Sequence, residues 1–167
     1  MDAAQEVWDM VDNDDKVICV ATRADIAKHG CWRRAVHIFL FRADNRLLLC
    51  KRPESRRAYP GLWTSSAGGH VECNEGYAAA AARELREELG IDCLLTDIGR
   101  FNVIDEHGKL IHHLFTGRWD QAVRSVGAEC SKLEWFRLEE IKHLTTKEPH
   151  LYAEPFKRAL EFYLDKL

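Results

Sequence analysis

The chain has 167 residues, 46% of them hydrophobic and 31% charged, with a net charge of −3. This suits one domain that buries a core without disulfide staples, and the mild charge gives no reason to expect a nucleic-acid polymer as partner. No apolar run reaches the length of a membrane span, and the acidic start Met-Asp-Ala-Ala-Gln-Glu lacks the basic and apolar parts of a secretory signal.

Six cysteines, at 19, 31, 50, 73, 93 and 130, show no paired zinc spacing. A reducing cytoplasm is therefore the expected setting. Cys19 and Cys50 lie inside apolar runs and are expected to be small buried hydrophobes. In chain order, Glu6–Val11 and Lys16–Thr22 flank Asp12-Asn13-Asp14-Asp15 and read as a hairpin. Arg23–His29 is expected to form a short helix stopped by Gly30. Arg34–Phe41 and Arg46–Lys51, joined at Asp44-Asn45, form a second predicted hairpin. After the break at Pro60-Gly61, Leu62–Ser66 is extended, and Gly68-Gly69 is expected to make a sharp loop with close backbone approach. Gly76–Leu89 is the clearest helix, with an expected apolar stripe of Ala78, Ala82, Leu85 and Leu89 and with its glutamates pointing away. Strands are expected at Cys93–Ile104, Leu110–Trp119 and Leu133–Phe136, and helices at Glu139–Leu144 and Pro155–Leu167. The whole is one domain, 1–167, with 1–32 as an N-terminal hairpin and short-helix extension. Helices flanking a central mixed sheet make it α/β.

Glu84, Glu87 and Glu88 fall at i, i+3 and i+4 of the Gly76–Leu89 helix, which puts three carboxylates on one face. Like charges so close repel unless a cation joins them; otherwise the face is a solvated one. Hard divalent ions such as Mg²⁺ take carboxylate oxygen and commonly work with substrate phosphates. Lys51 and Arg52 end a predicted strand and are candidates to neutralise phosphate oxygens. Strand alternation throws His112 and His113 to opposite faces, so the two cannot chelate together. His70, directly after the glycine pair, is the histidine expected near the site. Trp63, Phe101, Trp119 and Trp135 are candidates for stacking on a base, although strand aromatics more often fill a core.

Gly69, Glu75, Arg83, Glu84, Leu85, Glu87, Glu88, Gly90 and Ile91 fill every fixed position of the Nudix box, and from about Arg34 onward the chain resembles a Nudix domain. That resemblance implies an α/β/α sandwich and a metal site of Glu84, Glu87, Glu88 and the Gly69 carbonyl, holding Mg²⁺ or Mn²⁺. It also implies that Glu75 and Arg83 steady the metal-binding glutamates, and that Glu129 acts as general base or as a further ligand.

The expected activity is a pyrophosphohydrolase acting on a nucleoside diphosphate linked to another group, or on a related small diphosphate. Arg33-Arg34-Ala35-Val36-His37 and Tyr59-Pro60-Gly61-Leu62-Trp63 are also similar to the isopentenyl-diphosphate isomerase branch. The catalytic cysteine of that branch falls at Gly68, which has no thiol. A nucleotide-sensing module is the third reading; the complete set of box carboxylates argues against it. The expected partner is a small diphosphate, with no membrane, and a homodimer is left open.

Overall fold

The computed structural model describes residues 7–22, 25, 30–125 and 127–167. The short helix expected over Arg23–His29 falls, except for Asp25, outside the described residues. Turn chemistry starts the sheet. The Asp12 carboxylate accepts N–H bonds from Asp14 and Lys16, both 2.9 Å, and Asp15 adopts a φ of 68°. Strand β1 (Val7–Val11) therefore folds back on β2 (Val17–Thr22). Asn45, with a φ of 59°, turns β3 (Trp32–Phe41) into β4 (Arg46–Lys51). Then come β5 (Trp63–Thr64), β6 (Ala67–His70), helix α1 (Tyr77–Leu89), β7 (Leu95–Asp105), β8 (Gly108–Arg118) and β9 (Lys132–Arg137). Helix α2 (Leu138–Lys147), a 3-10 turn (Pro149–Leu151) and helix α3 (Glu154–Leu164) close the chain.

Strand β3 organises the mixed sheet. It runs parallel to β8 over its whole length, from Trp32 opposite Lys109 to Phe41 opposite Arg118. Its other edge is taken in turn by β1 at Val11, by β6 over Ala67–His70 and by β4 at Leu47. Alternation sorts its side chains between two cores. Val36, Ile38 and Leu40 join Leu48, Phe115 and the α1 residues Ala80, Ala81, Leu85 and Leu89. Phe39 and Phe41 join Leu47, Leu49 and Leu114 beneath Ile141 of α2 and Phe156, Ala159 and Leu160 of α3. This is the expected α/β/α sandwich.

Several local expectations are corrected. Gly68 and Gly69 are not a loop: they lie in β6, opposite His37 and Val36. A glycine pair permits close approach as well as turning, and close approach is its use here. A Cβ on Gly68 would sit 2.5 Å from the Val36 carbonyl oxygen. The apolar stripe of α1 is also out of phase, since Ala80 and Ala81 are buried while Ala78 is exposed. Five consecutive alanines carry no phase information. Glu88, flanked by Leu89, consequently turns inward and is only 8% exposed. Cys50 is buried, but Cys19 is exposed on the edge strand β2 beside the exposed Ile18 and Val20. Helix α3 ends at Leu164, leaving Leu167 in solvent.

Because the atom that a Cβ would strike is backbone in the central strand, Gly68→Ala should cost about 1–3 kcal/mol of stability. The check is a lower urea midpoint at unchanged slope; an unaltered midpoint would mean that β6 can move off β3.

Candidate active site

Helix α1 begins at Gly76 and stops at Gly90, which has a φ of 65° and donates its N–H to the Arg86 carbonyl. Its C-terminal half faces β6, so Glu84 and Glu88 stand beside the glycine pair. A Cβ on Gly69 would lie 2.2 Å from Glu84 Oε1. The Gly68 N–H points at Glu88 Oε1 from 3.4 Å.

Arg83 fastens this corner together. Its Nε and Nη2 donate to the two Glu75 oxygens, each at 2.9 Å, in a bidentate fork. Nη1 donates to Glu84 Oε1 at 2.9 Å and reaches Glu87 Oε2 at 3.3 Å, while Nη2 also donates to the His70 carbonyl at 3.0 Å. Glu75 additionally accepts the Glu72 N–H at 2.9 Å. The Arg83 guanidinium holds the Glu75 carboxyl below its ordinary pKa, and Glu75 in turn raises that of Arg83.

Glu84 and Glu88 both shift in the direction opposite to Glu75. Burial raises the pKa of Glu84 against the opposing pull of Arg83, with Glu87 and Glu129 adding repulsion. Burial raises that of Glu88 much further, helped by the charges of Glu84 and Glu129. The corner thus holds more buried negative charge than Arg83 compensates. Among the described residues no three ligating side chains already converge as a cation cage. Arg83 draws Glu84 and the exposed Glu87 toward itself instead.

Of these groups Glu88, together with Gly68, Gly69 and His70, lines a cleft of about 840 Å³. Arg33, Arg52, Arg57 and Lys109 supply its positive charge, and Glu129 and Tyr59 line it as well. Arg52 lines the cleft, with Nε donating to the Ala58 carbonyl at 2.9 Å. Lys51 is not among the residues lining the cleft; strand alternation brings Cys50 and Arg52 there and leaves Lys51 out. Glu129 reaches the cleft but is gripped by Arg56, with Nη1–Oε1 2.8 Å and Nη2–Oε2 2.5 Å. His70 lines the cleft, stacked 4.6 Å from Trp8, with Nε2 3.2 Å from Arg33 Nη1. A second cavity of about 910 Å³, lined by Phe41, Arg118 and Tyr163, contains none of the box carboxylates.

Four aromatics considered for base stacking are core instead: Trp63 packs on Phe136, Phe101 on Phe162, and Trp119 and Trp135 on the α1-side core. Sequence reasoning passed over Arg56, the clamp on Glu129, and gave no site role to His37 and His112, which line the cleft. His37 Nδ1 lies 2.5 Å from Ser65 Oγ, and its ring is 4.8 Å from that of His112. Burial lowers the pKa of His37 from 6.5 to about 4, with Arg52 contributing repulsion. His112 is buried and His113 is the more exposed of the two, as alternation predicts.

A NUDIX domain model matches residues 32–158. The chain is 34% identical to an isopentenyl-diphosphate Δ-isomerase 2 of Photorhabdus laumondii, over 93% of this chain and 90% of that one. It is 29% identical to a prenyl-diphosphate phosphatase of Methanosarcina mazei, over 90% of each chain. The crystal structure of a Deinococcus radiodurans protein superposes with a TM-score of 0.81, covering 95% of this chain and 99% of that one, at 23% identity. The chain belongs to the Nudix family and is a hydrolase of that family.

Two outcomes follow from the electrostatics. Glu88→Gln removes a desolvated charge while keeping its shape, so the metal-free variant should melt about 2–4 °C higher than the parent at about pH 8. A lower melting point would contradict the charge excess. The folded-state pKa of His37 is depressed, so its stabilising contribution is intact above 6.5 and is lost as pH falls toward about 4. The loss amounts to about 3 kcal/mol. His37→Phe should flatten the fall in urea midpoint over that window, and equal slopes for both proteins would refute the assignment.

Proposed function

We propose that this chain is a divalent-metal-dependent pyrophosphohydrolase that cleaves the anhydride of a nucleoside diphosphate linked to another group, or of a related small diphosphate. The observation that carries the reading is the pair of carboxyls Glu84, largely buried, and Glu88, more deeply buried, against the backbone of Gly68 and Gly69, with Glu88 lining a cleft that carries arginines. The donor set suits a hard cation: Glu84, Glu87 and Glu88 offer oxygen, and the absence of a side chain at Gly69 leaves room for Glu84 against the backbone. Mg²⁺ or Mn²⁺ bound there would neutralise diphosphate oxygens and acidify a water.

The remaining work falls to the chain. Arg52 holds phosphoryl oxygens, and Arg83 keeps the helix carboxylates at a fixed distance from β6 through Glu75 and the His70 carbonyl. A water oxygen bonds to phosphorus, its proton passes to the Glu129 carboxylate, and the bond from phosphorus to the bridging oxygen breaks. For this, one oxygen of Glu129 must leave Arg56. A second basic group, Arg57, stands in the same cleft to meet the departing phosphate.

The isomerase reading is weaker despite the relative of that name. A thiol at position 68 would need a Cβ where the Val36 carbonyl stands, 2.5 Å away.

Titrating Mg²⁺ into the purified chain with nucleoside diphosphate derivatives and prenyl diphosphates tests the reading. Phosphorylated products should appear only with metal, and Glu84→Gln or Glu88→Gln should lower kcat at least roughly a hundredfold without loss of fold. Rearrangement without phosphate release, or undiminished turnover by both variants, would overturn it.

A further inference from the structure

The floor of the cleft carries a polar group that the hydrolytic chemistry does not use. His112 projects from β8 on the same sheet face that Phe39 and Leu114 present to α3. That face is covered by α3 farther along and is open to the cleft at the His37–His112 end. The His112 ring stacks on Phe101 at 5.1 Å and 12°, and it tilts against His37 at 4.8 Å. It is 3% exposed, and neither ring nitrogen has a hydrogen-bond partner among the described residues. Ser65, the hydroxyl nearest the pair, is engaged by His37 at 2.5 Å. Burial pushes the His112 pKa well below 6.5, with His37, His70 and Arg33 acting in the same direction, so the neutral ring offers one N–H donor and one acceptor. Buried polar atoms are nearly always paired, and an unpaired donor and acceptor on one ring call for a partner that supplies both. The Cβ–Cγ torsion of histidine is soft enough to turn a nitrogen toward the cleft.

We propose that His112 is a specificity-determining residue that hydrogen-bonds the nucleoside part of the substrate, through a ribose hydroxyl or the edge of the base, and so selects nucleoside diphosphates over prenyl diphosphates. A prenyl chain is a hydrocarbon with no N–H, O–H or lone-pair group and would leave both nitrogens unpaired, and a site built to hydrogen-bond a substrate discriminates strongly against an analogue that lacks the group. This rests on the pyrophosphohydrolase reading for its reaction, but the contact itself does not need turnover to be observed.

The test has a binding arm and a kinetic arm. Histidine-selective nitrogen NMR of the wild-type chain reads the His112 ring directly. Adding α,β-methylene-ADP should shift its ring-nitrogen signals, and a methylene-bridged prenyl diphosphonate should not. A ribosyl methylenediphosphonate that reproduces the shift assigns the contact to the sugar; one that fails to do so assigns it to the base, and either supports the proposal. In the kinetic arm, His112→Phe keeps the stack on Phe101 and should lower the ratio of kcat/KM for nucleoside over prenyl diphosphates at least about tenfold, chiefly through KM. Equal shifts with both analogues, no shift with either, or an unchanged ratio in a folded variant would overturn the proposal. If His112→Phe does not fold, the wild-type spectra decide. Shifts with the nucleotide analogue, combined with no cleavage of any diphosphate, would refute the hydrolase reading and leave the subsite standing.

Discussion

One guanidinium sets the geometry of the active-site corner. Arg83 spends its donors on Glu75 before the helix, on Glu84 and Glu87 within it, and on the carbonyl of His70 at the end of β6. Three separate pieces of chain are thereby held at hydrogen-bond distance from one planar group. Lysine, a single point charge on a flexible stem, has no such fork. With the helix fixed against β6, Glu84 and Glu88 are held beside the glycine pair and largely out of water. Burial is the main reason both carboxyls have raised pKa values, and the charge of Glu84 adds to the rise at Glu88.

The close approach of β6 supplies the other half of the arrangement. A side chain at 68 would collide with the backbone carbonyl of Val36, and one at 69 would displace the Glu84 carboxylate, so the two glycines serve different purposes. One keeps the strand against β3, and the other leaves room for the carboxylate. The fold's scaffold and its chemistry therefore meet in two adjacent residues of a short strand, and the fold as a whole serves to bring that strand to α1.

Much of this was legible in the sequence because it depends on identity at fixed spacing. The carboxylates at i, i+3 and i+4, the Gly90 stop and the alternation of His112 and His113 need only local geometry. The phase of α1 did not follow, because five alanines look alike and only the packing of Ala80 and Ala81 on β3 and its neighbours decides which face is inside. The glycine pair read as a turn because sequence does not say which strand will lie alongside. Arg56 was passed over, and His37 and His112 were given no site role, for a related reason. Their partners Glu129, Ser65 and Phe101 reach them through pairings of distant segments, above all the parallel match of β3 with β8.

The N-terminal hairpin touches the box from outside. Arg34 Nε donates to Asp15 at 2.6 Å, the Tyr77 hydroxyl donates to the same carboxylate at 3.0 Å, and the Asn74 N–H donates to Asp9 at 3.1 Å. Asn74 and Tyr77 bracket the segment that carries Glu75 into its fork with Arg83. Strands β1 and β2 therefore act as a brace on the entrance to the helix. Trimming the chain back to the matched domain would strip support from Glu75 while leaving every metal-binding candidate in place, so a shortened protein is a poor stand-in for the full one in any assay of catalytic rate.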